Sequence, residues 1–283
     1  MSKQLYDISS QVCSKVITNN YSTSFSMGIR TLHKKYRMPV YSIYGFVRLA
    51  DEIVDTFHDF DKKTLLESFK EDTYQAINKK ISLNPILNAF QLVVNQYGIE
   101  RELIDAFLLS MEMDLSENEH NHETYTKYIY GSAEVVGLMC LRVFVNGDGQ
   151  LYEELKEPAR RLGAAFQKVN FLRDIQSDYQ DRGRVYFPGI DFEHFKNKEK
   201  DLIEKDIQED FIAAYDGIVK LPKGSRKGVY LAYIYYLKLF HKIKKLPASK
   251  ILSERVRIPD ITKIALLLPV LVSNNLSSPE FSR

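Results

Sequence analysis

Three oxygen-bearing side chains stand four residues apart in the second half of the chain: Asn170, Asp174 and Asp178. They share one stripe only if this stretch is an α-helix, because four residues make about one helical turn. Far upstream, Asp51 and Asp55 repeat the spacing. A chain that uses both stripes together has to bring two helices face to face. This requirement favours a bundle of helices.

The remainder of the sequence has the same helical period. Segments with strand-like alternation are short and few, and no repeat of roughly 20 to 50 residues is visible. We therefore predict an all-α fold, with about ten helices around one core, no sheet of any size and a single domain over residues 1–283.

Three of the predicted helices bear most directly on the fold and the site. The first covers residues 6–20 and has apolar residues at helical spacing: Leu5, Ile8, Val12, Val16 and Ile17. Pro39 is predicted to open the helix of the first stripe. Leu151 leads into the predicted helix of the second stripe, in which Pro158 marks the first turn or a kink and residues 158–178 are the part that carries the stripe. A helix of that length is about 30 Å long, enough to line a deep pocket.

Composition excludes several classes of protein. Lysine and arginine exceed aspartate and glutamate by only 39 to 37, which does not indicate a nucleic-acid-binding surface. Two cysteines, Cys13 and Cys140, argue against a disulfide framework, and the N-terminus lacks the apolar run of a secretory signal. We expect a cytoplasmic protein.

The longest apolar run near the C-terminus covers residues 264–272, well short of the roughly 20 residues that span a bilayer. We interpret it as a terminal core helix and expect no membrane crossing. Peripheral contact with the inner membrane stays open.

Four further stretches have a structural and a functional interpretation. Residues 21–26 are rich in hydroxyl groups and form either a capped turn or contacts to a phosphate. Gly131, Ala133 and Gly137 indicate close approach of a neighbouring helix or of a ligand tail. Residues 111–114 form either a core stripe with a solvated edge or a site, and the pattern favours the stripe. Residues 116–123 contain two overlapping Glu-x-x-His spacings, but in a single polar connector, which favours a solvated loop over a di-iron site.

The oxygen ligands of the two stripes suit a hard cation. Magnesium prefers such ligands and is commonly shared with substrate phosphates, and without clustered histidine or cysteine we expect Mg²⁺ or Mn²⁺ rather than zinc. The hypothesis is that Asp51 and Asp55 on one wall, and Asn170, Asp174 and Asp178 on the other, hold metal ions that bind a diphosphate. The alternative is a pair of solvated, charge-patterned helix faces.

Five blocks of the sequence, kept in order, resemble the squalene/phytoene synthase family, and within it most of all the bacterial phytoene synthases: residues 21–25, 44–55, 128–137, 167–178 and 182–188. The resemblance implies an isoprenoid-synthase helical bundle around a central active-site cavity. It implies catalytic roles for Asp51, Asp55, Tyr128, Asp174 and Asp178. It also implies a set of residues that bind the substrate: Tyr21, Ser22, Thr23, Ser24, Tyr44, Arg48, Ala133, Gly137, Gln167, Arg173 and Tyr235.

The same resemblance implies a reaction. Two geranylgeranyl diphosphates would condense head to head, through a cyclopropyl diphosphate, to phytoene with loss of a proton and release of diphosphate. The alternatives are a squalene or diapophytoene synthase that uses farnesyl diphosphate, or a non-catalytic relative that acts in assembly. No Gly-x-Gly-x-x-Gly motif is present, so no NADPH is expected. The expected partners are prenyl diphosphates and a downstream carotenoid desaturase.

Overall fold

The computed structural model describes residues 2–116, 120–180, 184–190 and 195–256. In these ranges the chain forms twelve α-helices and one π-helical turn, with no strand. The elements follow in order: α1 (Lys3–Tyr21), α2 (Thr23–Thr31), α3 (Lys34–Asp55), α4 (Lys62–Lys79), α5 (Pro85–Tyr97), α6 (Arg101–Ser116), α7 (His122–Ile129), the π turn (Tyr130–Glu134), α8 (Val135–Val145), α9 (Gly149–Gln180), α10 (Asn197–Ile218), α11 (Lys223–Lys244) and α12 (Ala248–Ser253). The all-α prediction is confirmed.

Helix α3 begins earlier than predicted, and helix α9 continues through its proline. Helix α3 starts at Lys34, with Pro39 inside it, and His33 accepts a hydrogen bond from the Lys35 amide at its N-terminus. The proline is tolerated because it lies only two turns from the helix start and removes a single main-chain bond. Helix α9 starts at Gly149 and runs through Pro158, giving a helix of 32 residues.

Two clusters of buried side chains form the interior. The first joins α3, α4, α5, α6 and α8, and Phe46 lies at its centre, stacked on Phe90 with ring centroids 3.9 Å apart. The second joins α9, α10, α11 and α12 around Phe211 and Phe240. A deep cavity is lined by residues of both clusters.

The continuous helical run His122–Val145 is long and apolar enough to span a membrane by length and composition alone. It is interrupted by the π turn, and it packs against α6 and α9 as an inner helix of the bundle. Its hydropathy therefore follows from its place in the core.

The apolar run 264–272 and the turn at Arg182 and Gly183 lie outside the described residues, as do residues 117–119.

Candidate active site

The cavity between the two clusters has a volume of about 390 Å³, within the usual range for small-molecule sites. Most of its wall is apolar and comes from α2, α8, α9, α10 and α11. The polar residues of the lining are Ser22, Ser24, Tyr44, Ser132, Gln167, Asn170, Tyr235 and Tyr236. Three of them form a hydrogen-bonded group, in which Tyr236 donates to Asn170 and Asn170 donates to Gln167. The cavity can therefore take a ligand with an apolar body and a polar head.

Small residues let the helices around the cavity approach closely. A Cβ atom at Gly131 would lie 2.4 Å from the Ala106 carbonyl oxygen, and one at Gly163 would lie 2.7 Å from that of Ala133. At Gly137 the nearest atom is the carbonyl oxygen of Ala159, at 3.0 Å. The close approach predicted here is thus made by neighbouring helices. Ala133 and Gly137 also line the cavity.

Helix α9 presents its two sides to different surroundings. Gln167 and Asn170 face the cavity. On the other side, the Lys168 ammonium lies 2.6 Å from Asp206 and 2.7 Å from Asp210 of α10, and Asp210 is fully buried. This ion cluster fixes the rotation of α9 about its axis, and so fixes which side chains reach the cavity.

The hydroxyl-rich stretch forms the predicted capped turn and also reaches the cavity. Ser22 caps α2 by accepting a hydrogen bond from the Phe25 amide at 3.2 Å, which confirms the capped turn. Ser22 and Ser24 also line the cavity, whereas Thr23 is exposed on the outside. Phe25 stacks on Tyr44, with ring centroids 4.8 Å apart.

The first acidic stripe is accompanied by Arg48. The Arg48 guanidinium pairs with Glu52, lies 3.9 Å from Asp51 and covers the ring of Tyr21 at 4.4 Å. Its Nε atom is buried and has no hydrogen-bond partner. A buried, unpaired guanidinium donor fits an anionic ligand such as a phosphate oxygen.

The second stripe is held by arginines and tyrosines. Asp174 pairs with Arg173 at 2.6 Å and with Arg255 at 2.7 Å. Asn170 accepts a hydrogen bond from the Tyr236 hydroxyl at 3.2 Å. Tyr235, the residue chosen from sequence, also lines the cavity, but the neighbouring tyrosine makes this contact with the stripe.

Arg184 connects the two stripes. Its main-chain amide donates to the Asp178 carbonyl oxygen at 2.8 Å, while its guanidinium donates to the Asp55 carboxylate at 3.2 Å. The same guanidinium also donates to the Asp114 carbonyl oxygen at 2.9 Å. The two motifs, far apart in sequence, are therefore neighbours in the fold.

Asp114 is a buried acidic residue that the sequence analysis assigned to a solvated edge, and this interpretation is wrong. Its carboxylate accepts the Tyr128 hydroxyl, which lies 3.0 Å from both oxygens, and lies 3.6 Å from Arg184. Tyr128 is itself buried and packs on Tyr186 and Phe171. Tyr128 is thus absent from the cavity lining and is connected to the first stripe through Asp114 and Arg184.

The carboxylates of the site influence one another. Burial, together with Asp55, Asp114 and Glu52, raises the pKa of Asp51 to about 8, and Arg48 opposes this rise. Burial also raises the pKa of Tyr44 to about 12, so that this hydroxyl stays protonated at neutral pH. The acidic groups repel one another, and a bound cation would relieve this repulsion.

The oxygen ligands fit a hard cation in kind, because all of them are carboxylate or amide groups. In the part of the chain that the structure describes, no three acidic, histidine or cysteine side chains are grouped closely enough to form a metal centre. Asp55 and Asp174 instead pair with arginines. Cys13 and Cys140 are free thiols, and Cys140 is one of the residues that line the cavity.

Comparison with known proteins gives consistent matches. The profile of a family described as squalene/phytoene synthase matches residues 18–262. Phytoene synthase of Arthrospira platensis is 26% identical over 279 residues, which cover 89% of each chain. The 4,4'-diapophytoene synthase of Staphylococcus haemolyticus is 26% identical over 201 residues, 69% of this chain and 68% of that protein. The crystal structure of a dehydrosqualene synthase with a ligand shares the fold, with a TM-score of 0.80, 21% identity and coverage of 95% and 97%.

Proposed function

Because the chain belongs to the squalene/phytoene synthase family, whose members are prenyltransferases, we propose that it condenses two geranylgeranyl diphosphates to phytoene. The observation that carries the proposal is an apolar cavity with two acidic stripes and several arginines near its polar lining. The choice of product is supported by the match to a phytoene synthase over most of both chains.

The chemistry of the reaction explains why both parts of the site are needed. When the diphosphate group leaves an allylic substrate, negative charge builds up on the diphosphate oxygen. Guanidinium groups near that oxygen lower the barrier. Arg48 and Arg173 are the arginines best placed for this role, because they lie beside Tyr44 and Tyr236 of the polar lining. The carbocation left behind needs a dry, apolar pocket, which the cavity wall supplies.

A divalent cation would be held by Asp51 and Asp55 on one side and by Asn170, Asp174 and Asp178 on the other. It would neutralise charge on the diphosphate. The proposal is supported by the all-oxygen donor set and by the neighbouring carboxylates, which add to the effect of burial in raising the pKa of Asp51. To bind the ion, Asp55 and Asp174 would have to share or release the arginines that pair with them.

The cation requirement has a direct test. We expect turnover to stop after exhaustive EDTA treatment and to return with Mg²⁺ or Mn²⁺. Asp51→Asn and Asp174→Asn are each expected to lower turnover by about 100-fold or more, since each removes charge from a metal ligand. Thermal melting is measured in parallel. Near-normal activity in both variants, or losses that merely follow unfolding, would assign the stripes a structural role.

The product is tested by separate incubations with farnesyl and geranylgeranyl diphosphate, with Mg²⁺ and with or without NADPH. We expect a C40 product from geranylgeranyl diphosphate that is independent of NADPH. A C30 product without NADPH would identify a diapophytoene synthase, in line with the second relative. A C30 product that appears only with NADPH would identify a squalene synthase. No product from either substrate would favour a non-catalytic relative.

A further inference from the structure

Helix α1 buries its polar face and exposes an apolar one, the reverse of an ordinary amphipathic helix on a protein surface. Its outward stripe consists of four apolar side chains that are each 45% to 52% exposed: Leu5, Ile8, Val12 and Val16. These positions share one helical face. The face that packs on α3 and α5 consists of fully buried hydroxyl residues: Ser10, Ser14 and Thr18.

Close packing explains the buried face but leaves the outward stripe unexplained. A Cβ atom at Gly45 of α3 would lie 2.8 Å from the Ser14 hydroxyl oxygen, so only small side chains fit between α1 and α3. The stripe takes no part in this contact. Single exposed apolar residues are common on protein surfaces, but four in register on one helix indicate a surface that binds something.

The loop between α4 and α5 extends this surface. Leu83 is 93% exposed, and Ile81 is also exposed. The loop is fastened to α1 because the Tyr6 hydroxyl donates to the Ser82 carbonyl oxygen at 2.7 Å. Six residues together form a surface that we call the α1 patch: Leu5, Ile8, Val12, Val16, Ile81 and Leu83.

The charges around the α1 patch are mostly positive. Helix α1, the end of α4, the following loop and α5 contain four lysines and one acidic residue: Lys3, Lys15, Lys79, Lys80 and Asp7. The single carboxylate is already paired, 2.7 Å from the Lys3 ammonium. The other three lysines are exposed. The patch is therefore an apolar stripe with a basic surround.

We propose that the α1 patch is a membrane-docking surface that binds bilayers with anionic headgroups. The apolar stripe enters the boundary between headgroups and acyl chains, and the lysines lie at the level of the lipid phosphates. A second copy of the chain fits this surface less well, because the two sets of lysines would face each other. The inference rests on the surface alone and does not depend on the proposed reaction.

The chain contains no tryptophan, which makes a single introduced tryptophan a unique reporter. Val12→Trp places it in the patch, and Ile212→Trp on α10 is the matched control, since the two positions are 45% and 46% exposed. With vesicles of equal parts phosphatidylglycerol and phosphatidylcholine, we expect a blue shift and quenching by brominated lipid for Val12→Trp only. Equal responses from both variants, or none from either, would overturn the proposal.

A second test uses a variant in which polar residues replace the apolar side chains of the stripe. The variant I8Q/V12Q/V16Q keeps good helix formers and is expected to lower vesicle binding by at least about 10-fold, because it removes most of the apolar surface that enters the bilayer. The control L202Q/I212Q alters apolar residues of α10 that are at least as exposed as Val12. Circular dichroism and melting check folding. Unchanged binding by the stripe variant overturns the proposal. A wild-type dimer in sedimentation velocity that the same variant dissociates, without vesicle binding, assigns the patch to a second copy.

Discussion

Replacing Asp114 by asparagine keeps the shape of the side chain but removes a buried negative charge. The carboxylate is 6% exposed and the Arg184 side chain next to it is 12% exposed. It accepts the Tyr128 hydroxyl at 3.0 Å and lies 3.6 Å from the Arg184 guanidinium. Arg184 in turn holds Asp55 and the main chain of Asp178. We therefore expect Asp114 to act as a positioning residue for both acidic stripes.

The size of the effect follows from these contacts. Hydrogen bonds to buried charged groups contribute about 1.5 to 3 kcal/mol, and each 1.4 kcal/mol is a factor of ten in rate. Asp114→Asn is thus expected to lower kcat/KM by about 10-fold to 150-fold. With one carboxylate fewer, Arg184 pairs more strongly with Asp55. The Mg²⁺ concentration for half-maximal activity should therefore rise as well.

The assay measures initial rates on geranylgeranyl diphosphate over a Mg²⁺ titration, together with Tm. Glu112→Gln is the matched control, since it removes the same charge from the same helix at an exposed position that pairs only with Lys70 among the contacts seen. We expect the control to behave as the wild type. The reasoning is refuted if Asp114→Asn keeps kcat/KM within about threefold of the wild type, or if its Tm falls enough to explain the loss.

Two further predictions concern stability. Lys168→Met is expected to lower the free energy of unfolding by about 1.5 to 3 kcal/mol at pH 7, because buried Asp210 loses one of two cationic partners and keeps Arg161 at 2.6 Å. Burial raises the pKa of Asp210 above its unfolded value, so its protonation at lower pH favours the folded state and the loss should shrink as the pH falls. Lys220→Met, which breaks an exposed pair with Glu154, should destabilise the fold far less; equal losses in urea unfolding would contradict the argument. Gly163→Ala should lower the free energy of unfolding by about 1 to 3 kcal/mol, because the added methyl group crowds the π turn. Gly149→Ala has open space around it and should not destabilise the fold. Equal melting temperatures of the two variants would argue against this packing.

The features that sequence predicted well are those that depend on residues close together in the chain. The spacing of the oxygen-bearing residues predicted the helices of both acidic stripes, and the hydroxyl groups of residues 21–26 predicted the capped turn at Ser22. The family resemblance was also confirmed. Helix starts were less certain, since a proline inside α3 looks the same in sequence as a proline that opens a helix.

The features that sequence missed depend on contacts between distant segments. Asp114 follows buried Met113 in an ordinary amphipathic helix, and only the fold brings Tyr128 and Arg184 to it. Apolar spacing in α1 predicted the helix but not its orientation, because the buried face is decided by how closely Gly45 lets α1 approach. Period alone shows that a helix has two faces, and the neighbouring helix decides which one is buried.

Pairing between arginines and carboxylates changes how variants of the stripes should be interpreted. From the sequence, the aspartates were expected to bind a cation and the arginines to bind a diphosphate, as two separate sets. In the structure, Asp174 also pairs with Arg173 and Arg255. Asp174→Asn therefore removes a proposed metal ligand and frees two guanidinium groups at once. Asp51 is 3.9 Å from its nearest arginine, a weaker contact, so Asp51→Asn acts mainly on the cation. We expect excess Mg²⁺ to restore more activity to Asp51→Asn than to Asp174→Asn. Equal recovery would show that the arginine pairing of Asp174 has no part in catalysis.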